Sequence, residues 1–302
     1  MNKNQIINQR IWHRFTKVLY LKSKIIEPSK DSILEIGPNL SPIFRKEDFN
    51  VEYLETVDKS GLIERAKSKN LNITAELVPD IDYIFNSEKG FLGSLSDTKA
   101  YNYVASSHVI EHIPDLVKHI IDVESILNAN GEYLLIIPDK KFTFDNLKPP
   151  TTVGQFLNRY YYPENSDLNV IIDDIIYSTT TNFGKGNWNA DFMGSLKSKH
   201  TNKLQMLKNI IKEYTSNNFT WYGHFSVFTP ISFYNIILIL QKLKLITLQV
   251  VDLKCTNNMD FICVLSKNLD SKQLSRNEIL AHLSKVNYNS LLNNIKNDFL
   301  LF

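Results

Sequence analysis

Cysteine is scarce in this sequence, and its scarcity excludes two classes of small, cross-linked protein. Cys255 and Cys263 are the two cysteines among 302 residues. Two thiols are too few for a disulfide scaffold or for a cysteine-rich zinc site. A reducing, cytoplasmic setting is therefore the simplest expectation.

An excess of one charge and long apolar runs are also lacking. The 34 basic and 32 acidic residues leave a net charge of +2, so the composition predicts no general attraction to nucleic acid or to an anionic membrane. No uninterrupted apolar run reaches the length of a membrane span. The N-terminus lacks the charged, apolar and small-residue sections that make up a signal peptide. We therefore expect a small-molecule partner, no nucleic acid and no integral membrane segment.

The chain does contain an alternation of strand and helix patterns. Helices are predicted at Gly61–Ser68 and at Pro114–Asn128, the second ended by Asn130-Gly131. The apolar runs between them predict strands at Ile33–Ile36, Val51–Val57, within Ile73–Phe85, at Tyr101–Ala105 and at Glu132–Ile137. Such alternation predicts an α/β fold with a doubly wound, mostly parallel sheet.

A second pattern near the C-terminal end completes this sheet. Ile246–Leu253 and Phe261–Leu265 read as strands, and their short link predicts an antiparallel hairpin. The preceding segment, Pro230–Leu243, is a predicted helix whose inward face holds Phe233, Ile236, Ile237 and Leu240. The expected sheet is therefore seven-stranded with an antiparallel C-terminal hairpin.

The domain boundaries follow from where this alternation stops. We expect an N-terminal helix over residues 1–30, a main domain over 31–267 with an insertion at about 140–228, and a helical extension over 268–302.

The basic amphipathic pattern of Gln5–Ile26 favours packing on the domain over membrane binding, and such a helix could cover the mouth of a site. The apolar tip Phe299–Phe302 either docks on the domain or mediates homo-oligomerisation. One helix is predicted in the insertion, with a face of Leu204, Leu207, Ile211 and Tyr214.

The end of the first strand is the first candidate for a ligand site. Gly37-Pro38 stops the strand, and a glycine lets backbone approach a ligand closely. Glu35 is the one charge in an apolar strand, so its carboxylate must be met by a cation or by hydrogen-bond donors. The spacing from Gly37 to Glu55 is close to the roughly 20 residues that separate a glycine turn from a ribose-binding acid. Glu55 is therefore preferred over Asp58 for that role.

Several motifs resemble those of class I S-adenosylmethionine-dependent methyltransferases. Residues 34–37 (LEIG) resemble the first motif of that family, and residues 105–115 (ASSHVIEHIPD) are similar to the SHVIEHVPD segment of one branch. Residues 137–145 (IPDKKFTFD) and 224–230 (HFSVFTP) resemble two later segments of that branch. The resemblance spans about residues 30–265 and implies S-adenosylmethionine as cofactor and S-adenosylhomocysteine as product.

The resemblance also assigns site residues. It implies cofactor contacts from Glu35, Gly37, Pro38, Glu55, Ser107 and His108, and from an acid near the third strand, for which Asp82 is preferred over Asn86. The candidates for a general base are His108, then Asp139, then His224, because these residues follow strands or leave the insertion at the ligand edge. His108 ranks first because an unperturbed imidazole has a pKa of about 6.5. His112 is more consistent with packing, and a divalent metal held by Asp139 with Asp145 is a further possibility without support.

The expected reaction is O-methylation of a sugar hydroxyl. Relatives in this branch occur with glycosyltransferases in surface-polysaccharide synthesis, and the aromatic, amide-rich insertion is compatible with a glycan. Two alternatives stay open: a methyltransferase acting on a non-sugar small molecule, and a non-catalytic partner protein of the same fold. A nicotinamide dehydrogenase is disfavoured because G-x-G-x-x-G is absent from the sequence.

Overall fold

A central sheet forms the body of the molecule. The computed structural model describes residues 16–96, 99–163, 168–215, 223–256 and 258–284. The strands are β1 (Ile33–Ile36), β2 (Val51–Glu55), β3 (Tyr83–Ile84), β4 (Tyr101–Ser107), β5 (Leu127–Pro138), β6 (Thr179–Thr181), β7 (Leu196–Ser198), β8 (Gln249–Cys255) and β9 (Asp260–Ser266). Seven of them form one sheet in the order β3-β2-β1-β4-β5-β9-β8, and β6 pairs separately with β7.

Helices cover the sheet unevenly. They are α1 (Lys59–Ser68), α2 (Gly90–Gly93), α3 (Leu116–Ile126), α4 (Val153–Tyr161), α5 (Leu168–Tyr177), α6 (Lys203–Thr215), α7 (Pro230–Lys242) and α8 (Arg276–Ser284). One face of the sheet packs in a large core with α3 and α7. The opposite face packs in a smaller core with Leu21, Ile25, Ile43 and Phe44, which belong to the N-terminal segment and the loop after β1.

The sheet has the predicted topology. The pairs β1–β2, β2–β3, β1–β4 and β4–β5 are parallel, whereas β9 is antiparallel to both β5 and β8. This is the doubly wound, seven-stranded sheet with an antiparallel C-terminal hairpin that the sequence predicts. Strand order reverses between β1 and β4, and ligands bind in open α/β sheets at such a reversal, outside the carboxyl ends of the strands.

The bounds of helices and strands were predicted correctly where the apolar pattern and the turn residues agreed. β1 has the predicted bounds, and α7 begins at Pro230 behind a Thr229–Ser232 capping box. The predicted helix end at Asn130-Gly131 is wrong, because α3 ends at Ile126 and both residues lie within β5. The third strand is only two residues long, since the apolar residues before it form a 3₁₀ turn at Ala75–Leu77.

The insertion contains more regular structure than the single helix predicted. Two further helices, α4 and α5, and the β6–β7 hairpin precede α6. Two residues of the predicted apolar face of α6 are exposed, Leu204 at 67% and Ile211 at 44%.

The N-terminal segment packs on the smaller core. Residues 16–22 are helical, and Lys17 is buried in an ion pair with Asp260 instead of belonging to a solvated basic face. Leu19, expected on the apolar face, is 47% exposed. The remaining part of the predicted amphipathic helix, including Ile7, Ile11 and Phe15, lies outside the described residues, as does the tip Phe299–Phe302. Among the described helices, none has the length and apolar character needed to cross a membrane.

Candidate active site

A large cavity opens at the carboxyl edge of the sheet. Its volume is about 2220 Å³, whereas small-molecule pockets typically measure roughly 300–1,000 Å³. Its wall combines the turn after β1, the end of β2, the segment after β4, and the loop between β6 and β7. The cavity therefore lies at the reversal of strand order and has room for more than one ligand.

The turn after β1 is shaped by two residues with positive φ. Gly37 has a φ of 68°, and a Cβ built there would lie 2.6 Å from Cγ2 of Val109. Asn39 has a φ of 48°, a conformation that asparagine tolerates better than most residues. Asn39 thus supplies a bend that a second glycine supplies in glycine-rich loops. Gly37 and Pro38 both line the cavity, as the sequence predicts.

Glu35 holds this turn from below. Its carboxylate is buried and accepts hydrogen bonds from the backbone N–H groups of Ile43 at 2.7 Å and Phe44 at 2.9 Å. These donors meet the buried charge, as the sequence requires. Glu35 borders the cavity, but its two oxygens fix the loop that covers the second face of the sheet.

Glu55 lies at the end of β2 beside the same turn. One carboxylate oxygen accepts from the Asn39 N–H at 3.1 Å, and the other accepts from the N–H and hydroxyl of Thr56 at 2.8 and 2.9 Å. The Nη1 of Arg65 lies 3.6 Å from Oε1 of Glu55. The carboxylate is therefore held in a fixed orientation on the cavity wall, next to the glycine turn.

Asp82 does not line the cavity, so the structure does not bring it together with the other predicted cofactor residues. It precedes β3 instead of following it, accepts a hydrogen bond from the Tyr53 N–H at 2.7 Å, and pairs with Lys46 at 2.7 Å. Asn86, the rival, accepts from the N–H groups of Glu88 and Lys89 and shapes the loop after β3. Residues of that loop, rather than Asp82, line the cavity.

Ser107 and His108 follow β4 at the centre of the cavity wall. His108 has a φ of 55°, and its Nε2 lies 3.3 Å from Asp260. Burial alone would lower the pKa of His108, but the hydrogen bond to Asp260 and the nearby Glu111 carboxylate raise it to about 9. The ring is therefore cationic at neutral pH. The pKa of His108 therefore differs from the ordinary value on which its first rank as a general base was based, and that role stays a prediction.

Glu111, near the cavity, is a buried acid without a hydrogen bond. It is fully buried, and neither carboxylate oxygen has a hydrogen-bond partner. Nitrogens of His108, His112 and His224 lie 3.6, 3.8 and 4.0 Å from its Oε1. No role was predicted for Glu111 from the sequence, although its position between two histidines in residues 108–112 was a readable signal.

His224 and His112 are each fixed by one ring nitrogen. His224 Nδ1 donates to Asp145 at 2.6 Å, and His112 Nδ1 donates to the carbonyl of Gly223 at 3.0 Å. Burial opposes ionisation of Asp145, but His224 and Lys148 outweigh it and hold the pKa of Asp145 at about 2. The second nitrogen of each histidine faces Glu111. His112, for which the sequence favoured a packing role, thus also has a hydrogen bond and a carboxylate neighbour.

Asp139, a predicted base candidate, is buried and does not line the cavity, in contrast to His108. Its carboxylate accepts from the Lys141 N–H at 3.0 Å and caps the 3₁₀ turn Lys140–Phe142. Burial raises the pKa of Asp139 to about 6. It does not form a metal pair with Asp145, which is bonded instead to His224 and Lys148.

The insertion forms the far wall of the cavity. The loop between β6 and β7 contributes polar and aromatic side chains, including Asn182, Phe183, Asn189 and Asp191. Trp188 is buried and its Nε1 donates to the Lys141 carbonyl at 3.2 Å, which ties the loop to the segment after β5. Phe183 is 75% exposed on this wall.

Comparison with known proteins gives similarity to solved structures alone. No family model matches the chain, and no curated protein matches it. The CcbJ methyltransferase from Streptomyces caelestis is 9% identical, with 82% of this chain and 92% of that chain covered and a TM-score of 0.43. An S-adenosylmethionine-dependent methyltransferase from Mesorhizobium loti is 10% identical, with coverages of 82% and 95% and a TM-score of 0.42. A putative S-adenosylmethionine-dependent methyltransferase from Listeria monocytogenes is 13% identical, with coverages of 84% and 99% and a TM-score of 0.38.

Proposed function

We propose that this chain is an S-adenosylmethionine-dependent methyltransferase that methylates a sugar hydroxyl in glycan or surface-polysaccharide synthesis. The observation that carries the proposal is the placement of the Gly37 turn, Glu55 and His108 around one cavity at the reversal of strand order. The sheet order, with β9 antiparallel between β5 and β8, is the layout that the motif resemblance implies.

The cofactor is assigned to the half of the cavity beside β1 and β2. The Glu55 carboxylate would accept hydrogen bonds from the two ribose hydroxyls, and the Gly37–Asn39 turn would pass close to the methionine end. Methyl transfer from a sulfonium is an in-line displacement, so the protein contributes mainly alignment and exclusion of water. The transferable methyl would then lie near Ser107 and His108, and the acceptor would have to bind there as well.

The acceptor is assigned to the half bounded by the insertion. Amide, carboxylate and aromatic side chains there suit a ligand with many hydroxyls and apolar ring faces. The cavity volume of about 2220 Å³ leaves space for this second ligand beside the cofactor. A non-sugar small molecule is the alternative acceptor, and a panel of acceptors distinguishes the two.

Calorimetric titration of the purified protein with S-adenosylmethionine, S-adenosylhomocysteine and NAD tests the proposal. Micromolar binding of the first two and none of NAD is the expected result. If none of the three binds, the enzyme proposal fails and the non-catalytic partner becomes the better account. Transfer of labelled methyl to nucleotide sugars or oligosaccharides, but not to unrelated small hydroxy compounds, then tests the acceptor class.

A further inference from the structure

The buried carboxylate of Glu111 has three histidines nearby but no hydrogen bond. Both of its oxygens are without a hydrogen bond, and its exposure is 0%. A buried carboxylate without hydrogen bonds is expensive to maintain, so such groups are normally hydrogen-bonded or bound to a metal. The His108 Nδ1, 3.6 Å from Oε1, lies beyond good hydrogen-bond distance and leaves Oε2 unmet.

Two histidines present ligand atoms to this carboxylate. An oxygen of Glu111 and one nitrogen each of His112 and His224 all lie within 4.8 Å of one another. Ligand atoms around a tetrahedral zinc ion are about 3.3 Å apart, so side-chain movements of roughly 1 Å complete a site. The two imidazole rings already pack edge to face, with centroids 4.8 Å apart.

The hydrogen bonds behind the two rings are those of metal-binding histidines. A histidine that binds a metal through one nitrogen usually donates the other N–H to a carboxylate or a backbone carbonyl. His224 donates to Asp145, and His112 donates to the Gly223 carbonyl. In both rings the remaining nitrogen, Nε2, faces Glu111. Each ring is therefore fixed in the tautomer and orientation that a metal requires.

We propose that Glu111, His112 and His224 bind one divalent transition-metal ion of the zinc type. Two imidazoles and one carboxylate are the donor set of catalytic zinc sites, whereas magnesium prefers oxygen ligands alone. Three protein ligands leave a position open, and His112, which is 44% exposed, places that position at the cavity wall.

The use of this ion in catalysis rests on the proposed function. The open position would bind the acceptor hydroxyl and favour its deprotonation, so the proton leaves to solvent and the oxygen becomes an alkoxide. The alkoxide oxygen then forms a bond to the methyl carbon, the carbon–sulfur bond breaks, and sulfur keeps the electron pair as a neutral thioether. This route would supply the activation of the acceptor hydroxyl that methyl transfer needs.

Metal titration of tag-free, chelator-treated protein tests the site without any assay of activity. We expect one equivalent of Co²⁺ to bind with visible d–d absorption, one equivalent of Zn²⁺ to displace it, and the melting temperature to rise on loading. Glu111→Gln and His112→Asn should abolish the absorption and weaken Zn²⁺ binding by more than 100-fold, since loss of an outer-shell partner alone costs about 10–100-fold. His112 is partly exposed, so its variant should fold even if the buried Glu111 variant does not.

Two further variants sharpen the assignment. Asp145→Asn removes the partner of His224 Nδ1 and should weaken Zn²⁺ binding by about 10–100-fold. His200→Asn removes a histidine of the insertion outside the cluster and should bind like the unmodified protein. Absence of stoichiometric binding, or equal binding by Glu111→Gln, His112→Asn and the unmodified protein, overturns the metal site.

The metal titration and the cofactor titration can succeed or fail independently of each other. If Co²⁺ binds as expected while neither S-adenosylmethionine nor S-adenosylhomocysteine binds, the metal site stands and the methyltransferase proposal fails. If the cofactor binds and chelated protein transfers methyl at full rate, the catalytic use of the ion fails and the methyltransferase proposal stands.

Discussion

At the scale of single residues, Glu55 provides the sharpest test of the cofactor site. Its carboxylate lies on the cavity wall with both oxygens oriented by Asn39 and Thr56. Glu55→Gln keeps the shape but loses the charge, and one of its two oxygens becomes a donor. Hydrogen bonds to charged groups contribute about 1.5–3 kcal/mol, so affinity for S-adenosylhomocysteine should fall by roughly 10- to 100-fold in calorimetric titration.

Asp82→Asn is the matched control for that experiment. Asp82 lies near the same edge strand but outside the cavity, paired with Lys46 and the Tyr53 N–H. Its variant should bind S-adenosylhomocysteine with unchanged affinity. A loss of affinity equal to that of Glu55→Gln would contradict the assignment of the ribose contact to Glu55.

The raised pKa of Asp139 predicts that the free energy of unfolding depends on pH. Its pKa is raised from 3.8 to about 6 in the folded protein. The unfolded chain therefore ionises first as pH rises, so folding stability falls between about pH 4 and pH 6 and then levels off. At pH 8 the raised pKa lowers the free energy of unfolding by about 3 kcal/mol, because a shift of one pKa unit corresponds to about 1.36 kcal/mol.

Asp139→Asn removes this titration while keeping an oxygen for the Lys141 N–H. The free energy of unfolding of the variant, relative to the unmodified protein, should therefore increase by roughly 1 kcal/mol between pH 5 and pH 7. Urea denaturation at both pH values measures this difference. A difference that is the same at pH 5 and pH 7 would show that burial does not raise the pKa of Asp139.

At the scale of elements, the loop between β6 and β7 determines the acceptor if the proposed function holds. Phe183 is 75% exposed on the far wall of the cavity, and aromatic contacts contribute about 0.5–1.5 kcal/mol beyond area burial. Phe183→Ala should raise KM for the sugar acceptor by about 3- to 10-fold with kcat nearly unchanged, because uniform binding is lost. Tyr161→Ala, which removes an exposed aromatic outside the cavity, should leave KM unchanged.

Elements were predictable from sequence where their signals are local. β1 and α7 carry apolar patterns bounded by Gly37 and by Thr229-Pro230, and both have nearly the expected bounds. The helix α4 was missed although Thr152 and Gln155 form a capping box. Asn130-Gly131 misled because β5 already begins at Leu127, which pairs with Tyr101 of β4, and the strand continues through a dipeptide that normally marks a turn.

The contacts that make the candidate site were not predictable in the same way. Glu111 and His112 lie close in sequence, but His224 and Asp260 reach this region from elements more than 100 residues away. Their proximity depends on the insertion and on the register of β9. The pKa of His108 is raised by Asp260, so the sequence alone suggested a base where the structure holds a cation.

At the scale of the whole molecule, one buried ion pair joins the N-terminal segment to the sheet. Lys17 and Asp260 are 6% and 1% exposed, and Asp260 also contacts His108 on the cavity wall. The segment is therefore expected to unfold together with the sheet and to hold part of the site in place.

Lys17→Met should destabilise the protein strongly, because it keeps the apolar stem but leaves the Asp260 carboxylate without its ammonium partner. Breaking one side of a buried pair costs about 3–5 kcal/mol, measurable as a lower urea midpoint with an unchanged m-value. Lys22→Met, a lysine of the same segment that lies over the Phe49 ring, is the control and should cost less than about 1 kcal/mol. The double variant Lys17→Met with Asp260→Asn should recover part of the loss, since the carboxylate that Lys17 neutralised is then also removed. Equal stability of Lys17→Met and the unmodified protein would mean that the segment is not part of the cooperative unit.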